Sequence, residues 1–336
     1  MTSVPTAAAE LSSLLDAELN NIVGSRDMPL YDMMSYHMGW ADRRGHPTDT
    51  TPKERTHGVL CLLAASAVGG DIETAMPAAA AIELVSSFCE IHDDVQGGNP
   101  ARDNRDAVWW VWGPAQAINA GDGMHALARL ALFRLLERGV SSATTFRAVQ
   151  LLDESSLQSC EGRFLELEAQ ERIDMSVEAY MEMAASKSGS LLSCAMKLGP
   201  AVHQNESILD AFGRCGKNLG VAVQINADIK ALWTDGDDGK PSPDVLNKTK
   251  LLPVVYALER ATISEKRALG EIYFKRVLDG DDVVKVRKAI DEMGVRDECE
   301  ALVAEHRDEA VAALDAPEVS DDGRARIVDY IDSLIG

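Results

Sequence analysis

Residues 81–122 read AIELVSSFCEIHDDVQGGNPARDNRDAVWWVWGPAQAINAGD. Ile82, Leu84, Val85, Phe88 and Ile91 make the first part an apolar helical run. It delivers two adjacent carboxylates, Asp93 and Asp94, just before a Gly97-Gly98 break. Adjacent carboxylates at the end of an apolar helix are costly to bury unless positive charge sits on them. A divalent cation held by hard oxygen ligands is the natural partner, and Mg2+ prefers to share itself with phosphates.

Outward from this stretch, the chain has 336 residues, 46% of them hydrophobic, which is ample for a large core. Ala/Leu/Glu-rich segments with apolar residues three and four apart predict an all-α chain. No linker, low-complexity join or solenoid repeat interrupts them, so one helical domain over 1–336 is expected. The spacing predicts helices over 6–23, 29–39, 54–68, 77–95, 115–138, 142–171, 177–198, 207–234, 250–262 and 265–278, then two or three shorter ones in 283–336. Residues 41–52, 97–106 and 235–247 read as polar loops.

A formal net charge of −21 argues against nucleic acid and anionic membrane surfaces, which require clustered Lys and Arg. Any diphosphate substrate must therefore be met by local cations and metal. The six cysteines lack CxxC pairing and sit in apolar surroundings, as expected for small core residues. The N-terminal stretch carries acids and no basic region of the signal-peptide kind. Uncharged runs fall short of the roughly 18 residues a spanning helix needs. A cytoplasmic protein without membrane partners is expected.

The opening stretch resembles the first aspartate-rich region of the trans-polyprenyl diphosphate synthases, roughly ELLHxxSLxHDDxxDxDxxRRGxPTxxxxxGxxxAINAGD. The resemblance continues through KSGSLLS (187–193), GVAVQINADIKALW (220–233) and GKPSPDVLNKTKLLPVVYAL (239–258), in the family's order. It implies a single helical bundle of the isoprenoid synthase type around a central cavity, a Mg2+ cofactor, a prenyl diphosphate substrate and a homodimer. It further implies that an allylic diphosphate is held by metal between two aspartate-rich helices and ionised. Isopentenyl diphosphate would sit beside it in a basic pocket and attack the carbocation.

Carried over residue by residue, Asp93 and Asp94 match the first two aspartates, and Gly97 stands where the third belongs. Arg102, Lys187, Gln224 and Lys240 match the contacts of the departing diphosphate, and Asp228 is the carboxylate kept in the second motif, ADIKA. Phe88 and Cys89 fall where the family sets product length, so Phe88 either shortens the cavity or packs the core. Glu90 lies three residues before Asp93 and four before Asp94, on one helix face with them. It either adds a metal ligand one turn inward or pairs with a nearby Arg or Lys.

The acceptor side departs further. PKERTHG (52–58) stands for the family's GGKRxRP loop: Arg55 keeps the first arginine, Glu54 replaces the lysine, and His57 replaces the second arginine. Lys53 can stand in by a one-residue slip. Ser86 replaces a histidine, and Asp103 replaces the second arginine of the RR pair. A second diphosphate would meet repulsion there. His92, beside the aspartates, reads as a packing residue, as a support behind them, or as a direct contact of the site; Trp109, Trp110 and Trp112 read as packing or as π-faces for a carbocation. Arg163 and Glu166 replace the Gln and Asp of the GQxxD element.

Three functions stay open. The pattern of losses favours a class I terpene cyclase that ionises one prenyl diphosphate without isopentenyl diphosphate. The alternatives are a chain-elongating or other prenyltransferase and a catalytically silent subunit of an active synthase.

Overall fold

The computed structural model describes residues 4–48, 53–170, 172, 174–236, 239–273, 275 and 278–336. Sixteen α-helices appear among them, with a hairpin of two two-residue strands as the only strands. The expected helix end at 171, and parts of the loops at 49–52 and 237–238, lie outside the described residues.

Two apolar clusters make the core. The first gathers α1 (Val4–Val23), α2 (Pro29–His37), α3 (Thr56–Ala67), α4 (Ile72–Gly97), α5 (Val108–Trp112), α6 (Pro114–Phe133), α7 (Ser142–Gln170) and, beyond α8 (Val177–Ala184), α9 (Ser190–Val202). In α1 the buried apolar residues are Leu11, Leu15, Leu19, Ile22 and Val23, a single apolar stripe. The second cluster gathers α8 (Val177–Ala184), α12 (Leu252–Arg260), α13 (Ile263–Tyr273), α14 (Gly280–Glu292) and α15 (Val295–Ala312). Helix α10 (Leu209–Trp233) joins the two: Leu209, Phe212, Cys215 and Leu219 belong to the first, Val221, Ile225, Ile229 and Leu232 to the second. The short α11 (Pro243–Leu246) lies in the loop after α10, and α16 (Asp321–Ile335) closes the chain against α3.

Helix α4 begins five residues earlier than its Pro77 predicts, because the Asp71 side chain caps it by accepting the Thr74 N–H at 2.8 Å. It ends at Gly98, whose φ of +65° is the left-handed stop that places Asp93 and Asp94 in the last full turn. Helix α4 is also long and apolar enough to cross a membrane, but most of its apolar window is buried in the bundle.

The expected 177–198 helix is split by a π-helical turn over Ala185–Gly189. The cause is close backbone approach. A Cβ on Gly162 of α7 would lie 2.3 Å from the Lys187 N, and one on Gly220 of α10 would lie 2.5 Å from the Gly189 Cα. The widened turn is thus wedged between two helices, and Lys187 projects from it.

The loop 97–106 contains the hairpin, Ala101–Arg102 paired with Arg105–Asp106. Its two-residue turn, Asp103-Asn104, has φ of +51° and +58°, the type I′ signature.

Candidate active site

Two clefts open on either side of the α4 C-terminus. The first is a cavity of about 190 Å³ lined by Phe88, Cys89, Asp93, Cys160, Phe164 and Lys187, among others. The second, of about 840 Å³, is lined by residues that include His37, Lys53, Glu90, Asp94, Arg102 and Arg105. Adjacent positions on a helix diverge by about 100°, so Asp93 serves one cleft and Asp94 the other.

On the first side, Asp93 Oδ1 lies 3.1 Å from Arg163 Nε, and Oδ2 lies 3.9 Å from Lys187 Nζ. Arg163 also pairs with Glu166, and Lys187 Nζ donates to both Glu166 oxygens at 2.8 and 2.9 Å. Burial pushes the Glu166 carboxyl up, but Lys187 and Arg163 outweigh it and hold it below its usual value. Asp244 of α11 closes this network, hydrogen-bonded by Asn99 and facing Lys187; burial dominates and raises its carboxyl. A Cβ on Gly97 would lie 3.2 Å from Asn99 Nδ2 and 3.5 Å from Arg163 Nη2. Arg163 and Asn99 therefore fill the space that a third aspartate would use.

On the second side, Asp94 accepts from Arg102 Nε at 3.0 and 3.1 Å and from Nη2 at 2.8 Å. Burial raises Asp94 despite this contact. Arg105, which pattern matching alone passed over, stands opposite Arg102 in the hairpin register. Directly opposed residues project to the same face of the ribbon, so the turn supplies the second arginine that Asp103 had removed. Arg105 stacks on Tyr36, 4.3 Å from its ring centre, and donates to the Ala41 carbonyl at 2.7 Å. Lys53 also lines this cleft, which realises the one-residue slip. Arg55 does not. It is fully buried, donating to Asp16 at 2.8 Å and to the Met38 carbonyl at 2.7 Å, so its role is to tie α1 to the α2–α3 connection. His57 is pushed down to about 4 by burial and carries no charge at neutral pH.

The carboxylates expected to hold metal are not gathered. Among the described residues no three His, Cys, Asp or Glu side chains converge on one point. Glu90 pairs with Lys53 and lies 3.1 Å from His37 Nε2, which corrects its placement as a metal ligand beside Asp93. Asp228 is corrected likewise. It is 3% exposed, and its oxygens accept from Tyr180 Oη (2.6 Å), Leu252 N–H (2.7 Å) and Gln224 Nε2 (3.0 Å). Burial lifts its pKa to about 7, against the pull of those donors. Gln224, which also accepts from Ser188 Oγ at 2.7 Å, acts within this buried knot. Lys240 is exposed in the loop after α10 and lines neither cleft.

Phe88 packs against His92 and His125, with ring centres 4.6 and 5.0 Å apart, and walls the smaller cleft. Cys89 Sγ sits 3.8 Å from Ser159 Oγ. His92 reaches the Ile118 carbonyl of α6 at 3.3 Å, a packing contact. Trp109 donates to the Asn99 carbonyl at 2.6 Å and Trp112 stacks edge-on with Tyr36, so both act as structural props for the hairpin. Of the cysteines, Cys160 is exposed rather than core.

An all-helical bundle with paired carboxylates and two cation-bearing clefts at one helix end defines the class of isoprenoid synthases. Within it, the polyprenyl synthetase family profile matches residues 50–293, and the chain belongs to that family. It is 31% identical over 299 residues to a geranylgeranyl diphosphate synthase of Mycobacterium tuberculosis, covering 88% of this chain and 84% of that one. A polyprenyl synthetase structure from Streptomyces coelicolor superposes with a TM-score of 0.88 at 30% identity, over 99% of this chain and 100% of that one. A geranylgeranyl pyrophosphate synthase from Corynebacterium glutamicum, complexed with isoprenyl diphosphate and magnesium, shares the fold at a TM-score of 0.84 and 19% identity, over 98% and 99% of the two chains.

Proposed function

We propose that the chain is a prenyl diphosphate synthase that joins an allylic prenyl diphosphate to isopentenyl diphosphate. The observation that carries this is the convergence of Lys53, Arg102 and Arg105 on one cleft beside Asp94, which sets Arg102 on the acceptor side rather than with the departing diphosphate, where the family pattern puts it. A cyclase needs no second anion seat. The cyclase reading rested on the loss of that seat, and the hairpin register restores part of it. The similarity to geranylgeranyl diphosphate synthases supports the same choice.

In this reading the allylic diphosphate enters beside Asp93, where Arg163 and Lys187 exchange carboxylate partners for phosphate oxygens. The donor set fits magnesium in the mode that uses one or two carboxylates plus substrate phosphates: Asp93 would hold it on the allylic side, with Asn99 Oδ1, buried without a partner, a further hard oxygen on that side and Asp94 the carboxylate of the adjoining cleft. Magnesium, when bound with the diphosphate, supplies positive charge to the departing oxygens. The allylic C–O bond breaks with its electron pair going to the diphosphate, the double bond of the acceptor attacks the carbocation, and the new tertiary cation restores a double bond by losing a proton to the released diphosphate. Phe88, Phe164 and Leu167 keep the hydrocarbon side of the smaller cleft apolar.

The chain is further read as a cytoplasmic homodimer. Phe146, Leu157 and Phe164 of α7 are 69%, 63% and 66% exposed, alongside Leu130 and Phe133 of α6. Apolar exposure on two neighbouring helices is the mark of a covered face. A second copy seated there would also wall the cleft that Phe164 lines.

The test incubates the protein with Mg2+ and geranyl, farnesyl or geranylgeranyl diphosphate, with and without isopentenyl diphosphate. Longer diphosphates formed only with the second substrate are expected. Hydrocarbon or alcohol without it would restore the cyclase reading, and no turnover would favour the silent subunit.

A further inference from the structure

The second cleft holds a group that its proposed task does not require. Glu90 projects from α4 into the cavity and pairs with Lys53, while His37 Nε2 lies 3.1 Å from the same carboxylate oxygen and 3.3 Å from Lys53 Nζ. We infer that Glu90 is the specificity-determining residue of the acceptor cleft: its carboxylate occupies the lysine that an incoming diphosphate needs, so an anionic acceptor binds only by displacing it. This inference rests on reading the larger cleft as the seat of the second diphosphate.

The surroundings of Lys53 support an internal competitor rather than a buried structural bridge. The Glu90 side chain is 27% exposed and that of Lys53 is 13%, and both line the cavity, so a ligand can reach the pair. Burial opposes the charge on Glu90, but Lys53 and His37 outweigh it and hold the carboxyl well below its usual value, so it stays ionised at neutral pH. His37 braces the pair without adding charge, because burial and Lys53 push it down to about 4. The other cations of the cleft have their own work: Arg102 faces Asp94, and Arg105 is spread over Tyr36 and the Ala41 carbonyl. Asp103 lies 3.9 Å from Lys53, but at 64% exposure it is screened by solvent and competes less. Binding a diphosphate to the wild-type cleft therefore trades one ion pair for another, whereas an uncharged acceptor faces no such exchange.

Glu90→Gln keeps the shape of the side chain and removes its charge. Calorimetric titration of the full-length variant with inorganic pyrophosphate and with isopentenyl diphosphate, without allylic substrate, is expected to show about tenfold tighter binding or better than wild type. The gain should rise as salt is lowered, and it should vanish in the Glu90→Gln/Lys53→Met double variant, measured against Lys53→Met alone. Thermal melts followed by circular dichroism check folding, and Glu90→Leu offers a second route to the same charge removal. Equal or weaker diphosphate binding in a folded Glu90→Gln or Glu90→Leu protein overturns the inference, even if the wild type elongates. Tighter binding in a protein that never elongates sustains the role of Glu90 and removes the synthase reading instead.

Discussion

Helices α4 and α10 each bring acid to the site, and they treat it in opposite ways. Asp93 and Asp94 at the end of α4 face cations, Arg163 and Lys187 for one and Arg102 for the other. Asp228 on α10 is held by three neutral donors, Tyr180, the Leu252 N–H and Gln224. The difference decides what each carboxylate can do. A carboxylate paired with the guanidinium or ammonium of a long side chain can exchange that partner for a ligand, because the cation finds phosphate in return. A carboxylate in a closed knot of three neutral donors has nothing to exchange, and opening the knot would leave buried donors unsatisfied. On the proposed reading the first helix therefore holds the chemistry, and the second holds the architecture.

The largest expected effect follows from the α4 side. Asp93→Asn should lower kcat by about 100-fold to 1,000-fold, because it removes a ligand for the departing diphosphate's counter-charge and disturbs Arg163 and Lys187 together. Steady-state kinetics with saturating substrates measure it; a loss below tenfold would mean that the two helices do not differ as described. Asp228→Asn should cost less than about tenfold in kcat, which the same assay checks.

The Asp228 variant should instead change how stability depends on pH. With a pKa raised from 3.8 to about 7, folded Asp228 binds a proton that the unfolded chain has already released across that window. Its contribution is fully present below pH 3.8 and is lost as pH rises toward 7, at up to about 1.4 kcal/mol per pH unit. Urea melts between pH 4 and 7 should show the wild type losing stability more steeply than Asp228→Asn. Glu83, raised by burial to about 7, adds a parallel slope to both proteins, so the comparison cancels it. Parallel curves would place Asp228 outside the knot.

How far this contrast could be read from the sequence differs between its two halves. The α4 end is local: an apolar run, two aspartates and the Gly98 stop lie within one stretch, and the structure keeps them there. The closure of Asp228 is not local, since Tyr180 is 48 residues away and the Leu252 N–H is 24 away. Matching the family pattern shows which residue fills a slot but not which way it is buried. Arg55 shows the same limit, because Asp16 is 39 residues distant. Arg105 is different. Its signal was present in Asp103-Asn104, a dipeptide suited to a two-residue turn, which relates Arg102 to the residue three further on rather than to its neighbour. The loop reading of 97–106 hid it.

The smallest expected effect lies just inward of Asp93, at the floor of the smaller cleft. Phe88 is clamped edge-on against His92 and leans on His125, so its ring is held in place where it lines the cavity. Phe88→Ala removes that wall while leaving the carboxylates and their cations in place. The rate of the first condensation should change by no more than about threefold, because the departing diphosphate meets the same groups. The product distribution should shift toward chains at least one isoprene unit longer, since the hydrocarbon now has room to extend past the clamp; chromatography of the dephosphorylated products reads the shift directly. An unchanged distribution with unchanged rate would place the limit on chain length elsewhere, with Cys89 and Phe164 as the remaining walls of the cleft.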